Sequence, residues 1–381
     1  MRILQVCAAY KPAFVYGGPT MSVSMLSEQL CKFGINTQVY TTTANGEDEL
    51  NVTIETALQV DGVPVIYFKR ITGDHTHLSP QLLKRLWVQY RDFDIIHIHA
   101  WWNLVSLGAC LIARIRGIKT VISPRGTLSD YSFNKRNSYA KAILHRLIGK
   151  GLLRSAHIHV TSHQEELSIL NIIQPKSITN LPNFVKLPFT NSTSNRALDS
   201  NKFRLLFFSR IDDKKGIDIL IKALPTLNFN YTLTVAGPGE ILYINQLKEI
   251  SQQLGVESNI NWLGLQTEGK FELLAEHDLL ILPSQDENFG NVVIESLSQG
   301  TAVLVSPFVG LADYVTHHDL GWICETEPQT IGETINLIAT EKDKITRIRA
   351  NAPDIIRTDF DEATLVDRYV ELYTRILNQK P

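Results

Sequence analysis

Two glutamates, Glu287 and Glu295, lie on either side of a predicted helix start. The apolar run 279–282 before them is typical of a buried parallel strand, and 291–299 predicts a short helix that ends at Gly300. A loop between a strand's carboxyl end and a helix's amino end is where α/β sheets bind ligands. Unpaired N–H groups and the partial positive charge of the helix start favour phosphate there. The stretch therefore predicts a ligand site, although each glutamate alone also fits a solvated side chain.

Two cations, Arg210 and Lys215, follow another apolar run, 203–208, that is typical of a strand. They lie in a charged loop before a predicted helix over 217–224. A diphosphate leaving group needs cations that neutralise its developing charge, and Arg can grip it bidentately while Lys acts as a point charge. Because this loop and the Glu287 loop leave strand ends of one predicted sheet, we interpret the pair as a diphosphate site. A surface charge cluster is the alternative.

Adjacent glycines, Gly17 and Gly18, follow the first predicted strand, 3–8. Two glycines let the backbone approach a ligand closely, and Pro19 suits the first turn of the helix that follows. The loop has neither G-x-G-x-x-G nor the lysine of a phosphate-binding loop, so it predicts neither a dinucleotide nor an ATP site. A plain tight turn is the alternative to a ligand-binding loop.

Polar and aromatic side chains follow two further strands of the first half. His97 and His99 alternate along one strand, so both point to the same side of the sheet. Because no Cys, Asp or Glu partner lies nearby, we expect one buried histidine and one that faces a cleft, and not a metal pair. Residues that we expect at the same strand edge are Trp102, Asn103 and Arg125.

Strands and helical patterns alternate along the chain, which predicts two α/β domains with parallel sheets. The predicted strands are 3–8, 37–43, 63–68, 95–99, 120–123, 157–161, 177–181, 203–208, 231–236, 260–263, 279–282 and 302–305. A polar, Pro-flanked stretch between the halves is typical of a linker. We predict an N-terminal domain over 1–188, a linker over 189–200 and a second domain over 201–358. A cleft between two such domains is a common place for ligands.

Composition narrows the function classes. The 381 residues are 44% hydrophobic and 20% charged, which is typical of a globular protein. A formal net charge of −2 and the lack of a basic patch interleaved with aromatics argue against nucleic acid. Four scattered cysteines fit a reducing cytoplasm without a zinc site or disulfide framework. With neither a signal peptide nor a membrane-spanning run predicted, we expect a cytoplasmic protein.

One basic segment, 135–154, alternates cations with apolar residues. A basic amphipathic segment can lie on the anionic inner surface of the cell membrane. A solvated helix whose apolar side faces the core is the alternative, and the sequence does not decide between them.

Together these motifs resemble family 4 of the retaining glycosyltransferases, which has the GT-B fold. The resemblance covers nearly the whole chain, and the pieces occur in the family's order. They are Gly17-Gly18, His97-Ile98-His99, Ser123-Pro124-Arg125-Gly126, Ser209-Arg210, Lys215-Gly216, Ala236-Gly237-Pro238-Gly239, Leu263-Gly264 and Glu287-Asn288-Phe289-Gly290 with Glu295. The resemblance implies two Rossmann-like domains that face a central cleft, and a C-terminal helix, here 359–381, that crosses back to the first domain.

The resemblance also implies roles at the donor site. Arg210 and Lys215 hold the diphosphate of a nucleotide sugar, Glu287 binds hydroxyls of the donor sugar, and Glu295 binds the ribose. The catalytic residues are then Arg210, Lys215 and Glu287. The other donor-binding residues are Gly17, Gly18, Gly237, Leu265, Asn288, Phe289, Gly290, Asn291 and Val292.

The acceptor falls to the N-terminal domain, and two departures from the family pattern bear on specificity. The acceptor or cleft residues are His99, Trp102, Asn103 and Arg125. Asn288 stands where many members have Gly in Glu-Gly-Phe-Gly, and its amide can alter the choice of sugar. Arg125-Gly126 stands where many have His-Gly, which replaces a histidine by a fixed cation and suggests an acceptor phosphate.

The expected function is retaining transfer of a hexose to a hydroxyl of a glycan or lipid-linked acceptor, in exopolysaccharide or surface-glycan biosynthesis. UDP-glucose is the expected donor on family frequency alone. The leaving phosphate, stabilised by Arg210 and Lys215, helps deprotonate the acceptor on the same face. No cofactor or metal is expected, and Asp92-Phe93-Asp94 is interpreted as structural because it precedes a strand of the first domain. The alternatives are a nucleotide-sugar epimerase of the same fold and a catalytically silent sugar-nucleotide-binding regulator.

Overall fold

A computed structural model describes residues 1–129, 145–188, 202–266 and 268–379. The chain divides into two compact units. Unit 1 consists of Met1–Phe184 and Glu362–Pro381, and unit 2 of Val185–Asp361. The helix that ends the chain is therefore counted with unit 1. The predicted linker, 189–200, falls outside the described residues.

Unit 1 is built on an eight-stranded sheet. Its strands are β1 (Arg2–Val6), β2 (Asn36–Thr42), β5 (Ala57–Val60), β6 (Val63–Phe68), β7 (Ile95–His99), β8 (Lys119–Ser123), β9 (His157–Val160) and β10 (Ser177–Asn180), and β3 (Ala44–Asn45) and β4 (Asp48–Glu49) form a separate pair. The order across the sheet is β10-β9-β8-β7-β1-β2-β6-β5. All pairs in this sheet are parallel except β5, which runs antiparallel to β6 at the edge.

Helices pack against this sheet. They are α1 (Gly18–Lys32), α2 (Pro80–Gln89), α3 (Leu104–Arg116), α4 (Lys150–Ser155), α5 (His163–Ile172) and α13 (Glu362–Asn378). Apolar side chains of β1, β7 and β8, among them Ile96, Ile98 and Ile122, are fully buried in the main core of the unit. Of the basic segment 135–154, residues up to 144 fall outside the described residues. The described remainder forms a π-helical turn, His145–Gly149, and α4.

Unit 2 contains a six-stranded, all-parallel sheet. Its strands are β11 (Phe203–Phe208), β12 (Tyr231–Ala236), β13 (Ile260–Gly264), β14 (Leu279–Leu282), β15 (Ala302–Val305) and β16 (Gly321–Ile323), and its helices are α6 (Ile217–Ala223), α7 (Ile241–Gln253), α8 (Lys270–Ala275), α9 (Asn291–Ser298), α10 (Ala312–His317), α11 (Pro328–Thr340) and α12 (Lys342–Asp359). The order is β13-β12-β11-β14-β15-β16. Counted within the unit this is 3-2-1-4-5-6, the order of a Rossmann sheet.

The predicted helix end at Gly300 is confirmed. Gly300 adopts a left-handed φ of 77°. Its N–H donates to Leu297, and the N–H of Thr301 donates to Ser296. This is the Schellman pattern that closes a helix at a glycine. A Cβ at residue 300 would also lie 2.6 Å from the carbonyl oxygen of Arg349, so α9 ends where only a glycine fits.

Candidate active site

The loops that carry the predicted donor residues meet at one point of the unit 2 sheet. β11 is the strand from which the order runs in both directions, with β12 on one side and β14 on the other. Loops after such neighbouring strands leave toward opposite faces, and the crevice between them is where open α/β sheets bind ligands. The loop after β11 holds Arg210 and Lys215, and the loop after β14 holds Glu287.

Lys215 and Glu287 form an ion pair across this crevice. Lys215 ends a 3₁₀ turn, Asp213–Lys215, that Asp212 caps by accepting a hydrogen bond from the N–H of Lys214. Gly216 follows at a left-handed φ of 70°, and a Cβ there would lie 2.2 Å from the carbonyl oxygen of Pro283. The glycine therefore lets the Lys215 loop pack directly on the end of β14.

Further contacts fix the two loops to each other and to the next strand. The N–H of Gln285 donates to the carbonyl of Lys214 at 2.9 Å, and the Lys214 ammonium pairs with Asp286 at 2.7 Å. The backbone of Glu287 is held on both sides by the loop after β15: its N–H donates to Phe308 and its carbonyl accepts from Gly310. The Lys215–Glu287 pair is thus a preorganised element of unit 2.

Arg210 differs from Lys215 in that its side chain is exposed. It forms no ion pair with any residue in the part of the chain that the structure describes. The Arg210 guanidinium, which lies on the same loop as Lys215, is therefore available to bind an anion.

The start of α9 presents unpaired polar groups beside Glu287. Gly290 has a left-handed φ of 92°, and a Cβ there would come within 3.1 Å of Val309. Among the described residues the backbone N–H groups of Phe289, Gly290 and Asn291 find no acceptor, as expected at a helix start. The side-chain oxygen of Asn291 is buried without a described partner. These groups suit a ligand that both donates and accepts hydrogen bonds.

Phe289 supports this helix start from below. Its ring is buried and meets the ring of Phe360 edge to face, with centroids 6.3 Å apart. Asn288 and Val292 are half-buried on either side of the N–H groups. The donor-binding roles expected of Asn288 and Val292 stay predictions.

Glu295 has a partner that the sequence did not reveal. Its carboxylate forms an ion pair with Lys270, the first residue of α8. No predicted strand or turn pattern marked α8, so the sequence offered no reason to bring Lys270 to this site. The pair shows that α8 also contributes to the candidate donor site.

Two more predicted donor residues lie on neighbouring strand ends. Gly237 follows β12 with φ 140°, and a Cβ there would lie 1.9 Å from the carbonyl oxygen of Ser209. Its N–H donates to Gly264 at 2.8 Å. Packing of adjacent loops therefore already demands this glycine. Leu265 is 64% exposed just beyond β13 and is open to a ligand.

In unit 1, Gly17 and Gly18 follow β1 as the sequence predicts: Gly17 directly precedes α1, and Gly18 is the first residue of α1. Gly17 has a left-handed φ of 64°, and the space around both glycines is open. Trp102 is half-buried and donates from Nε1 to the carbonyl of Thr127 at 2.6 Å. Asn103 is buried and caps α3 by accepting from the N–H of Ser106 at 2.8 Å. The Asn103 side chain is thus held by the helix cap, a role that the sequence analysis did not assign.

The expectation that one histidine of β7 is open is wrong. His97 and His99 point to the same side, with ring centroids 4.3 Å apart, but both are buried. His97 contacts Ser123 at 2.6 Å and Tyr373 at 2.8 Å, so β8 and α13 cover it. His99 contacts Gln5 at 2.6 Å and Arg125 at 3.1 Å. Burial is the main reason that the pKa of each imidazole lies well below its ordinary value, so both are neutral.

The interpretation of Asp92-Phe93-Asp94 as structural is supported by the contacts of Asp94. Its carboxylate accepts from the N–H of Arg2 at 2.8 Å and pairs with the Arg2 guanidinium at 2.9 Å. Within the described ranges no group of three or more His, Cys, Asp or Glu side chains is arranged to hold a metal ion. The four cysteines are unpaired.

Unit 1 also carries a basic and apolar surface, here called the α2–α3 face. Leu83 of α2 packs on Gly108 of α3, and both helices also carry exposed apolar residues. The guanidinium of Arg116 lies 3.7 Å from the ring centroid of Trp87 across the two helices. The exposed apolar residues of the face are Trp87, Val88, Leu111 and Ile115. Its cations are Arg114 and Arg116 of α3, and Gly151 of α4, which follows Lys150, packs against Arg114. No helix of the described chain is long and apolar enough to cross a membrane.

Solved structures that are similar to this chain include glycosyltransferases with the GT-B fold. HepE of Anabaena, determined in complex with UDP and glucose, matches with a TM-score of 0.76 and 20% identity over 98% of this chain and 100% of that chain. WaaG, a glycosyltransferase involved in lipopolysaccharide biosynthesis, matches with a TM-score of 0.70 and 16% identity over 98% and 99%. The protein therefore has the GT-B fold, with two Rossmann-like domains.

Its family follows from matches to both halves. The family model "Glycosyltransferase Family 4" matches residues 16–188, and "Glycosyl transferases group 1" matches 189–354. An uncharacterized glycosyltransferase of Methanocaldococcus jannaschii is 25% identical over 90% of each chain. The N-acetyl-alpha-D-glucosaminyl L-malate synthase of Bacillus anthracis is 24% identical over 76% of each. The chain belongs to glycosyltransferase family 4.

Proposed function

We propose that this glycosyltransferase moves a hexose from a UDP-sugar, with UDP-glucose as the first candidate, to a hydroxyl of a glycan or lipid-linked acceptor. The observation that carries the proposal is the Lys215–Glu287 ion pair at the switch point of the unit 2 sheet. At this switch point Lys215 provides a cation for the diphosphate, and Glu287 provides a carboxylate for the sugar hydroxyls of the same donor. That HepE was solved with UDP and glucose supports the choice of donor.

The ion pair holds the site in the absence of donor. When the donor binds, its diphosphate takes over Lys215 and its sugar hydroxyls take over Glu287. The unpaired N–H groups at the start of α9 add further donors to the diphosphate. Arg210, which is exposed on the same loop as Lys215, closes on the phosphate from the solvent side.

Transfer proceeds with retention of configuration. The bond between the anomeric carbon and the phosphate oxygen breaks, and the acceptor oxygen bonds to that carbon on the same face. The acceptor proton passes to the departing phosphate, whose charge Arg210 and Lys215 stabilise. Because these side chains and the helix start supply positive charge, the proposed reaction needs no metal ion.

Surface-glycan assembly is the proposed setting. WaaG is involved in lipopolysaccharide biosynthesis, and a lipopolysaccharide core glycosyltransferase of Rhizobium meliloti is 24% identical over 46% of this chain. The α2–α3 face combines exposed apolar side chains with cations, which suits the anionic cytoplasmic surface of a membrane. We therefore place the protein in the cytoplasm, in peripheral contact with that surface.

A thermal-shift screen with UDP-glucose, UDP-galactose, UDP-N-acetylglucosamine and GDP-mannose tests the donor. At 100 times its Kd a ligand adds about 2.7 kcal/mol to the free energy of unfolding, which for a unit of this size is a rise in Tm of about 5–10 °C. We expect UDP-glucose to give the largest rise and Lys215→Met to abolish it. A larger rise with GDP-mannose would overturn the donor assignment. Formation of an epimerised nucleotide sugar, without release of UDP, would instead favour the epimerase.

A further inference from the structure

Arg125 is the most unusual charged side chain of unit 1. Its Nε donates to Nδ1 of His99 at 3.1 Å. Its Nη1 donates to the hydroxyl of Ser22 at 2.8 Å and to the side-chain oxygen of Asn183 at 3.0 Å. The second terminal nitrogen, Nη2, has no acceptor among the described residues, and the residue keeps part of its surface exposed. One corner of the guanidinium is therefore open to a ligand.

All three partners of Arg125 are neutral. Nε2 of His99 lies 2.6 Å from the side-chain oxygen of Gln5, so the imidazole carries its proton there and accepts from Arg125 at Nδ1. Ser22 and Asn183 contribute only dipoles. No carboxylate in the described part of the chain forms an ion pair with the guanidinium, so no counter-ion is in direct contact with its charge.

The surrounding groups respond to that charge. The pKa values of His97, His99 and His159 are lowered by burial first and also by the positive charge of Arg125. Glu165 acts on Arg125 only at a distance, and its carboxylate accepts from the N–H groups of Gly126 and Thr161 at 2.8 and 2.9 Å. Burying a cation without a counter-ion costs folding free energy, so a structural crosslink alone explains this arrangement poorly.

The backbone also holds Arg125 in place. The residue has a left-handed φ of 52°, which is rare for an arginine, and Gly126 follows at 75°. Strained backbone of this kind persists where the surrounding structure fixes it and is concentrated at functional sites. The Gly126 N–H, held by Glu165, locks the loop at the end of β8. The guanidinium is thus preorganised before any ligand arrives.

We propose that Arg125 is an anion-binding residue of the acceptor site and takes a phosphate ester carried by the acceptor. The proposal rests on the proposed function, since it supplies the specificity of the same transfer reaction. A phosphate monoester gains more than a carboxylate from a guanidinium without an ion-pair partner, because the monoester carries the greater charge. Nη2 offers two N–H donors toward its oxygens. The phosphate belongs either to a lipid-linked acceptor or to a soluble sugar phosphate.

Binding titrations of the full-length protein test this site. The probes are glucose 6-phosphate in solution, a short-chain prenyl phosphate in neutral micelles, and malate as a carboxylate control. We expect a phosphate probe to bind the wild-type protein and Arg125→Gln to weaken it about 10-fold or more, the range of a charge-assisted hydrogen bond. Arg125→Lys keeps the charge but loses the bidentate guanidinium, so its phosphate affinity should lie between those of the wild type and Arg125→Gln. It also tests the site if the glutamine variant does not fold. Whichever probe depends on Arg125 identifies the source of the phosphate.

The control variant is Lys176→Gln, which removes one exposed positive charge from the same unit. It should bind the phosphate probes as the wild type does. Equal phosphate affinity of wild type and Arg125→Gln, or no binding of either phosphate probe to the wild type at millimolar concentration, would overturn the proposal. Binding of malate that is as tight and as dependent on Arg125 would overturn the choice of phosphate.

UDP binding separates this inference from the proposed function. Because Arg125 belongs to unit 1, and Arg210 and Lys215, proposed to hold the diphosphate, belong to unit 2, Arg125→Gln should bind UDP with the wild-type affinity. Loss of UDP affinity in Arg125→Gln would assign the residue to the donor and contradict its acceptor role. If no nucleotide sugar binds the wild type, the proposed function fails while the phosphate titration still reports on Arg125.

Discussion

Lys215 and Glu287 form an ion pair in the free protein, and in the proposed function a donor replaces each partner. Lys215→Met removes the diphosphate cation, and Glu287→Gln removes the negative charge proposed to accept from sugar hydroxyls. We expect each substitution to lower kcat/KM by about 100-fold or more, the range seen when a group aimed at developing charge is lost. The measurement is UDP release from the donor identified in the thermal-shift screen.

Lys214→Met is the matched control for this pair, because Lys214 is the neighbouring residue and pairs with Asp286 instead. Its kcat/KM should stay within a few-fold of the wild type. The double variant Lys215→Met/Glu287→Gln should be more stable than Lys215→Met alone, since a single change leaves one charge without its partner. Wild-type turnover in both single variants would remove these two residues from the active site.

Gly237 sets the packing of two strand ends in unit 2. Alanine there would bring Cβ to 1.9 Å from the carbonyl oxygen of Ser209, and the backbone already has φ 140°. We expect Gly237→Ala to lower the free energy of unfolding by about 3 kcal/mol through strain and overpacking. Gly264→Ala is the control, because its φ of 68° has open space around it and costs about 1 kcal/mol. Equal midpoints in urea for both variants would contradict this account of Gly237.

At the scale of elements, strands β7 and β9 carry a buried cluster of neutral histidines in unit 1, and β8 lies between them. His97 and His159 lie on opposite sides of the Ser123 hydroxyl, each at 2.6 Å. Burial, followed by the charge of Arg125, lowers the pKa of His159 to about 3, and the pKa values of His97 and His99 also lie well below the ordinary value. The folded unit therefore keeps all three unprotonated at neutral and mildly acidic pH.

This cluster predicts a pH-dependent stability. In the unfolded chain these histidines bind protons below about pH 6.5, so their contribution is complete above that pH and is lost as the pH falls. Each histidine lowers the free energy of unfolding by up to about 1.4 kcal/mol for each pH unit below about 6.5, so three together lower it by up to about 4 kcal/mol per pH unit. Urea unfolding of the protein at pH 7 and pH 5 measures the change. His163→Gln, at an exposed position, should leave the slope unchanged, and equal stability at both pH values would show that the cluster is protonated when folded.

The elements that the sequence predicts well are the buried ones. Six strands have the predicted ends: Val63–Phe68, Ile95–His99, Phe203–Phe208, Tyr231–Ala236, Leu279–Leu282 and Ala302–Val305. Each is an apolar or aromatic run bounded by turn residues, so composition alone fixes its limits. β16 was missed because it has three residues, and β5 because it pairs at an edge and its side chains alternate between exposed and half-buried. The antiparallel pairing of β5 cannot be read from its own residues.

Site residues in local loop motifs could also be predicted from the sequence, whereas those that depend on packing between elements could not. Loop motifs after strand ends identified Lys215 and Glu287, because strand topology brings such loops together. Lys270 was missed because its contact with Glu295 depends on how α8 packs on α9, which no local pattern encodes. The wrong expectation for His99 has the same cause, since a strand's alternation shows which face a side chain occupies but not what covers that face.

For the whole molecule, the two matched family models and the two compact units describe one glycosyltransferase, whose proposed diphosphate and sugar residues lie in unit 2. The α2–α3 face of unit 1 then bears on where the enzyme works. Its apolar stripe follows from the spacing of Gly108, Leu111 and Ile115, which are neighbours along one side of α3. Gly151 of α4 packs on Arg114, which brings the cations of α4 beside that stripe. Sequence alone showed the charge of the 135–154 segment but not the apolar residues of α2 and α3 that accompany it.

The α2–α3 face predicts binding to anionic lipid. We expect the protein to sediment with vesicles that contain phosphatidylglycerol and to remain in solution with phosphatidylcholine alone, because cations near a charged surface contribute about 1 kcal/mol each. Arg114→Gln/Lys150→Gln should therefore weaken binding by about 30-fold, and added salt should weaken it further by screening. Lys202→Gln/Lys248→Gln removes the same charge from exposed positions of unit 2 and should bind as the wild type does. If both double variants lose affinity equally, net charge and not this face governs binding; if the wild type stays in solution with anionic vesicles, the peripheral contact is wrong.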